Sequence, residues 1–350
     1  MASLIDTADL TLNPQEALAA SEAIFEKVYS KPALANVHGI QTGIQMKTQI
    51  PFYGLIGTVG KVSSGCTPNA SSEKVNLTEK YWDPALVDFR LTHCQGDVSQ
   101  LFKMWKRSRI ALGTWEEVDN EMMAFITDRG VDAVFEAILR ISQFGDKTAA
   151  LVANGGSITA GSDIAFLTMI DGLWKQIFAS ATVKRYTIPE NVLATEAAQL
   201  ALATDRTLQA MRYLYNEIDS RVFDVQGLKF QMTRSLWNNW SDFLEDKSLA
   251  FSLDRTEQGS TKASYRGIPI EVRNDWDRNI RTWNDLGATL LYPHRMILTP
   301  IDNVPIGTSD EESMNRLDSF YDKVTRSHYL DGAFYIDVKV LEEAMCGAAY

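Results

Sequence analysis

The sequence predicts an α+β protein with helical stretches through its middle and strands gathered towards its end. Three observations predict this. Apolar residues recur at helical spacing over 115–142 and across most of 163–247. Apolar and polar residues alternate along 40–50 and again from Phe334 to Val340. Met296 to Leu298 is an apolar run of strand length, closed by Pro300 and the turn-forming pair Asp302-Asn303.

The elements follow in order. Residues 1–35 form a leader with a helix starting near Asn13-Pro14 and ending by Pro32. Along 40–50, Ile40, Thr42, Ile44, Met46, Thr48 and Ile50 share one face of an expected strand, while the other face carries a single charge, Lys47. Gly54, Gly57, Gly60 and Gly65 follow, and alternation resumes at Val75, Leu77, Glu79 and Tyr81. Together 36–82 reads as a long glycine-rich hairpin, which is marginal in water unless it lies on a surface. Val98 to Arg109 is a basic helical stretch, and a longer helix is expected over 115–142. Phe166, Leu167, Ile170, Leu173, Trp174, Ile177 and Phe178 predict one helix after Asp163. Another is expected from Pro189 to about Ser220, then a strand over 229–233 and a helix over 235–244. Strands return at 264–273 and 295–299.

A chain of 350 residues can bury a large core and form two packed subdomains. Its net charge of −11 argues against a protein whose main task is gripping a nucleic-acid backbone. Cys66, Cys94 and Cys346 are too scattered for a disulfide framework or zinc site, so a reducing site of synthesis is expected. No signal peptide and no apolar stretch long enough to span a membrane is found.

The patterns that carry chemistry are weak. Five residues, not four, lie between Gly54 and Gly60, and Val62 follows Lys61, which breaks the phosphate-loop spacing twice. His38, His93, His294 and His328 lie far apart in sequence, and His93-Cys94 on one strand points two ways. Asp275-Trp276-Asp277 has the spacing of two carboxylates that hold a divalent cation in some sugar transferases, but a loop or helix start is the better reading. Lys103, Lys106, Arg107 and Arg109 could touch phosphate or acidic neighbours, although one solvated helix face explains them more simply. No cofactor is expected.

Several segments resemble one family. Ser264-Tyr265-Arg266-Gly267-Ile268-Pro269-Ile270, then the run from Arg295 through Leu298-Thr299, Asn303 and Gly307-Thr308, are similar to the C-terminal half of tailed-bacteriophage major capsid proteins. Met232 to Trp240, Asp331-Gly332 and the ending Ala348-Ala349-Tyr350 fit the same group. Within it the flavour is that of Bacteroidota phages, including the crAss-like ones, for which this chain is short. The resemblance implies the HK97-like capsid fold, with an N-terminal arm at 1–35 and an extended E-loop at 36–82. It further implies a P-domain with a spine helix at 83–162, an A-domain at 163–304 and a return to the P-domain at 305–350.

The implied function is a non-enzymatic shell subunit of the virion, assembled in the bacterial cytoplasm. Its partners would be further copies in hexamers and pentamers, portal, decoration and scaffolding proteins, and weakly held double-stranded DNA. Ile44, Met46, Ile50, Phe52, Tyr53 and Lys61 are the expected inter-subunit contacts of the hairpin. Lys103, Lys106, Arg107 and Arg109 are the expected charged contacts to neighbours or DNA. Two other readings stand beside this one: an encapsulin-like compartment shell, and a metal-dependent transferase or hydrolase using Asp275 and Asp277.

Overall fold

The structure is a computed structural model that describes residues 37–50, 80–94, 132–149, 164–247, 254–255, 261–309, 318–322 and 327–350. In chain order the first strands are β1 (Ile40–Gln41), β2 (Thr48–Ile50), β3 (Lys80–Trp82) and β4 (Ala85–Cys94). Helix α1 runs through 132–144, followed by α2 (Ile164–Leu167), α3 (Leu173–Ala179), β5 (Lys184–Tyr186), α4 (Glu196–Leu200) and α5 (Arg206–Glu217). Next come β6 (Leu228–Met232), α6 (Arg234–Asp246), β7 (Asp254–Arg255), β8 (Thr261–Tyr265), β9 (Ile268–Val272) and α7 (Asn274–Trp283). The last strands are β10 (Met296–Pro300), β11 (Ile306–Thr308), β12 (Asp318–Asp322), β13 (Ser327–Val338) and β14 (Gly347–Ala349).

Among the described residues two large sheets and the two-stranded pair β2-β3 organise these elements. A seven-stranded sheet has the order β5-β14-β10-β6-β9-β8-β7. A five-stranded sheet has the order β1-β11-β13-β12, with β4 on the other side of β13. The β4–β13 ladder is the longest, antiparallel from Ser327↔Cys94 to Ile336↔Ala85.

β10 joins the cores of the two sheets. All five of its residues are buried, and strand alternation sends them to opposite sides. Ile297 enters a cluster with Ile138, Leu167, Trp174, Trp276 and Ile336. Met296 and Leu298 enter a second cluster with Met211, Leu214, Phe230 and Leu236. After Pro300 a single 3-10 turn, Ile301–Asn303, carries the chain from one sheet to the other. The expected turn chemistry is present. Buried Asn303 donates to Thr299 Oγ1 and the Glu342 carbonyl oxygen, and accepts from Glu342 N–H.

Several expected elements are interrupted. Residues 40–50 form two short strands, because Gly43 turns at φ 86° and Ile44 N–H bonds Thr308 O at 2.9 Å. The shared face is thereby lost: Ile44 and Ile50 are buried, while Met46 is 72% exposed. The single helix expected after Asp163 is two helices, α2 and α3. Between them Gly172 lies against Gly145, whose N–H stands 2.7 Å from where a Gly172 Cβ would sit, and Asp171 accepts from Lys147 N–H. The helix expected from Pro189 to Ser220 is a 3-10 turn at Pro189–Val192 followed by α4 and α5. Glu190 and Gln199 spend their side chains on other segments of the chain and pin these breaks. The final strand is longer than its alternation suggested, starting at Ser327, and the chain ends in β14 within the seven-stranded sheet.

Candidate inter-subunit contact surface

The hairpin expected at 36–82 is described at its base. β1 runs parallel to β11, with Ile40 opposite Ile306 and Gln41 opposite Gly307. After the Gly43 turn, β2 pairs with β3 in the antiparallel register Thr48↔Trp82, Gln49↔Tyr81 and Ile50↔Lys80. Ile44, Ile50 and Trp82 close into a small apolar cluster with Leu341 against it. Gly307 is the floor of that cluster. A Cβ there would stand 2.8 Å from the Trp82 ring and 2.9 Å from Ile44 Cδ1. Of the two roles glycine offers, a positive φ or a close approach, Gly307 serves the second.

Polar contacts lock the base from the other side. Lys80 Nζ donates to the Val340 carbonyl oxygen at 2.9 Å and to Glu343 at 3.1 Å. Burial works to raise the Glu343 pKa, but hydrogen bonds from Ser180 and Lys80 hold it below the usual carboxylate value. Asp337, buried in β13, accepts from Asp83 N–H at 2.7 Å and from Lys339. Burial raises its pKa. Lys147 reaches Asp83 at 2.6 Å, and its hydrogen bond lowers the Asp83 pKa. A cleft of about 340 Å³ opens here between Lys80, Tyr81, Ala179, Ser180 and Lys339, and its charged groups are tied to these neighbours.

The outer side of the base is open and mixed, with Gln45, Lys47, Thr48 and Gln49 exposed beside its apolar residues. Met46 and Tyr81 are exposed, and Lys47 Nζ sits 5.3 Å from the Tyr81 ring centroid. Of the expected contact residues, Met46 faces outward, whereas Ile44 and Ile50 face the subunit's own cluster. Phe52, Tyr53, Lys61, Lys103, Lys106, Arg107 and Arg109 lie outside the described residues. Sequence reasoning missed Trp82 and its seat on Gly307. The signal was the run Trp82-Asp83-Pro84, a large ring followed by a turn, on the opposite face from Tyr81.

The other candidates take structural positions. Asp275 and Asp277 lie in the first turn of α7, where carboxylates complement the helix dipole. Asp275 is bidentate to Arg273 at 2.6 and 2.8 Å; burial opposes its ionisation, but that guanidinium holds its pKa below normal. Asp277 accepts from Arg234 N–H at 2.7 Å, and burial raises its pKa. Among the described residues no group of three His, Cys, Asp or Glu could hold a metal ion. His38 and His294 are buried, each with both ring nitrogens hydrogen-bonded. Strand register sets His328 opposite His93, a proximity invisible in the sequence. Cys346 is free and buried, and burial raises its thiol pKa to about 12. No helix among the described residues is long and apolar enough to cross a membrane.

No protein-family model matches the chain, and no curated protein matches it in sequence. The fold has clear likenesses among solved structures. A chain of the satellite phage P4 procapsid, determined with the size determination (Sid) protein, matches 94% of this chain over 98% of its own length, with a TM-score of 0.53 and 12% identity. More distant likenesses are a Gordonia phage Cozz structure and the capsid of the Myoviridae phage XM1. The first has a TM-score of 0.48 and 10% identity over 90% of this chain and 84% of that one. The second has a TM-score of 0.46 and 12% identity over 90% of each. At such identities the likeness is one of fold, and the fold of this chain is the HK97-like capsid fold.

Proposed function

We propose that this chain is the major capsid protein of a tailed bacteriophage, a structural subunit that assembles into an icosahedral shell around double-stranded DNA. The observation that carries the reading is the end-to-end likeness to a chain of the P4 procapsid. The hairpin base supports it. Its inner side is fastened to the subunit by Trp82, Ile44 and Lys80, while Met46 and Tyr81 present apolar surface outward. A hairpin fastened at its root, with apolar side chains exposed there, is suited to lie on a neighbouring copy.

In this reading 1–35 is the arm, 36–82 the E-loop, 83–162 with 305–350 the P-domain and 163–304 the A-domain. The change of sheet between Pro300 and Ile306 supports the last boundary. Met46, Phe52, Tyr53 and Lys61 make the inter-subunit contacts, with Ile44 and Ile50 as anchors within the subunit. Lys103, Lys106, Arg107 and Arg109 face neighbours or the DNA. The partners are copies in hexamers and pentamers, together with portal, decoration and scaffolding proteins. The location is the virion, after assembly in the host cytoplasm. The carboxylates of the metal-enzyme alternative are occupied by Arg273 and by the α6 N-terminus.

Negative-stain microscopy of the expressed chain tests this. Closed particles are expected. Deleting 52–72 should leave native circular dichroism and abolish those particles; normal shells from that deletion, or a wild-type chain that stays monomeric, would contradict the reading. Mass spectrometry of the particle contents separates a DNA container from a compartment that packages protein cargo.

A further inference from the structure

We propose that the turn at Arg266-Gly267 and an apolar patch around Glu196 are the two halves of a head-to-tail contact between copies of this chain, with Arg266 meeting Glu196 across it. The inference rests on the shell reading and names one of its contacts.

The first half is a strained turn. Tyr265 pairs with Ile268, so Arg266 and Gly267 alone join β8 to β9. Both have positive φ, 52° and 83°, the pattern of a type I′ hairpin turn. Asparagine or glycine suits the first of these positions, whereas a side chain such as arginine costs about 1 kcal/mol there. A residue kept against a local preference at an exposed tip points to a use beyond the fold. Its guanidinium carbon lies 4.6 Å from the Tyr215 ring centroid and 5.4 Å from that of Tyr265. Among the described residues no carboxylate pairs with it. Phe223, 4.9 Å from Tyr215 and 41% exposed, and half-exposed Val225 extend the ring surface. Arginine held on aromatic rings is the composition of an interface centre.

The second half is aliphatic. Val192, Leu193, Leu200 and Leu286 are exposed, Val192 to 66%. Hydrogen bonds make one surface of their segments: Glu196 N–H donates to Ala288 O at 3.0 Å, and Gln199 clasps both the N–H and the carbonyl of Leu290. Glu196 stands among them, half exposed, with a loose 3.9 Å approach to Arg281. Contiguous exposed apolar residues rimmed by charge mark association sites.

The two halves lie at opposite ends of α5. Arg206 at its start binds Glu190 beside the aliphatic patch, and Tyr215 near its end carries Arg266. Twelve helical residues span about 18 Å, so the halves do not meet within one subunit. They also differ in chemistry, cation on rings against carboxylate on aliphatics. Unlike halves at opposite ends of one element suit a head-to-tail contact, which sets unlike against unlike and forms a ring where the rotation closes.

Charge reversal in the full chain tests this. Arg266→Asn relieves the turn, so the subunit should fold with equal or higher thermal stability while particle yield falls roughly tenfold or more. Arg266→Glu and Glu196→Arg should each do the same to assembly, and the double reversal should restore particles. Normal particles from Arg266→Glu, or a folded double variant no better than the singles, would overturn the contact and leave the shell reading standing. A wild-type chain that forms no particles would overturn both.

Discussion

Gly307 and His38 show how single residues hold the hairpin root to the body. The Trp82 ring is 1% exposed and wedged between Gly307 and Ile44, so it has no room to retreat from a new methyl group. Gly307→Ala should therefore cost about 1–3 kcal/mol by overpacking, measured as a lower urea midpoint. His38 Nδ1 donates to the Val304 carbonyl oxygen at 2.9 Å, which leaves Nε2 to accept from Gln143 Nε2 at 2.6 Å. Burial lowers its pKa from 6.5 to about 4. Between these values the unfolded chain binds the proton and the folded chain does not. Stability should accordingly fall as the pH drops below 6.5 and level off near 4, by on the order of 3 kcal/mol. His38→Gln should reduce that slope in urea titrations run across the window; an unchanged slope would contradict the assignment. Arg295 is a different case. It is buried, with no carboxylate partner among the described residues, bonded to Tyr292 O, Leu291 O and Asn284 and stacked on Phe144, Trp174 and Phe178. Nothing in its sequence neighbourhood announces an arginine held by carbonyl and aromatic partners.

Among the elements, those with a clean and uninterrupted period were legible. Residues 296–298 are a fully buried strand, and Leu236, Trp240 and Leu244 line the buried face of α6 as their spacing requires. Where a run was broken, the sequence still identified the buried residues: Leu167, Ile170, Leu173, Trp174 and Ile177 share one core although their helix is split. The split comes from the meeting of Gly145 and Gly172, residues far apart in sequence, and periodicity cannot register such a contact. Along 40–50 the alternation was genuine, yet the Thr308 carbonyl oxygen captured Ile44 N–H and redirected the chain. The pairing that closes the base of the candidate site, β2 on β3, was legible in the alternation on either side of the glycines, while its division into an anchored face and an exposed face was not.

For the molecule as a whole, β10 decides the thermodynamics. Its alternate residues enter both cores, so neither core can open without stripping the strand from the other. The isolated subunit should unfold in one transition, with far- and near-ultraviolet circular dichroism coincident in urea; two separated transitions would count against this coupling. In the proposed shell reading, the net charge of −11 suits a container for DNA, since tight binding at every copy would oppose packing and release. By itself the sequence determined the α+β class, the strongly periodic elements and most of the apolar core, because those depend on local spacing and on burial of apolar surface. Only the tertiary structure decided where periodic runs break, which role Gly307 plays and why Arg266 and Glu196 lie at opposite ends of one helix. Those outcomes rest on hydrogen bonds and close approaches between distant segments, whose energies no local window of residues contains.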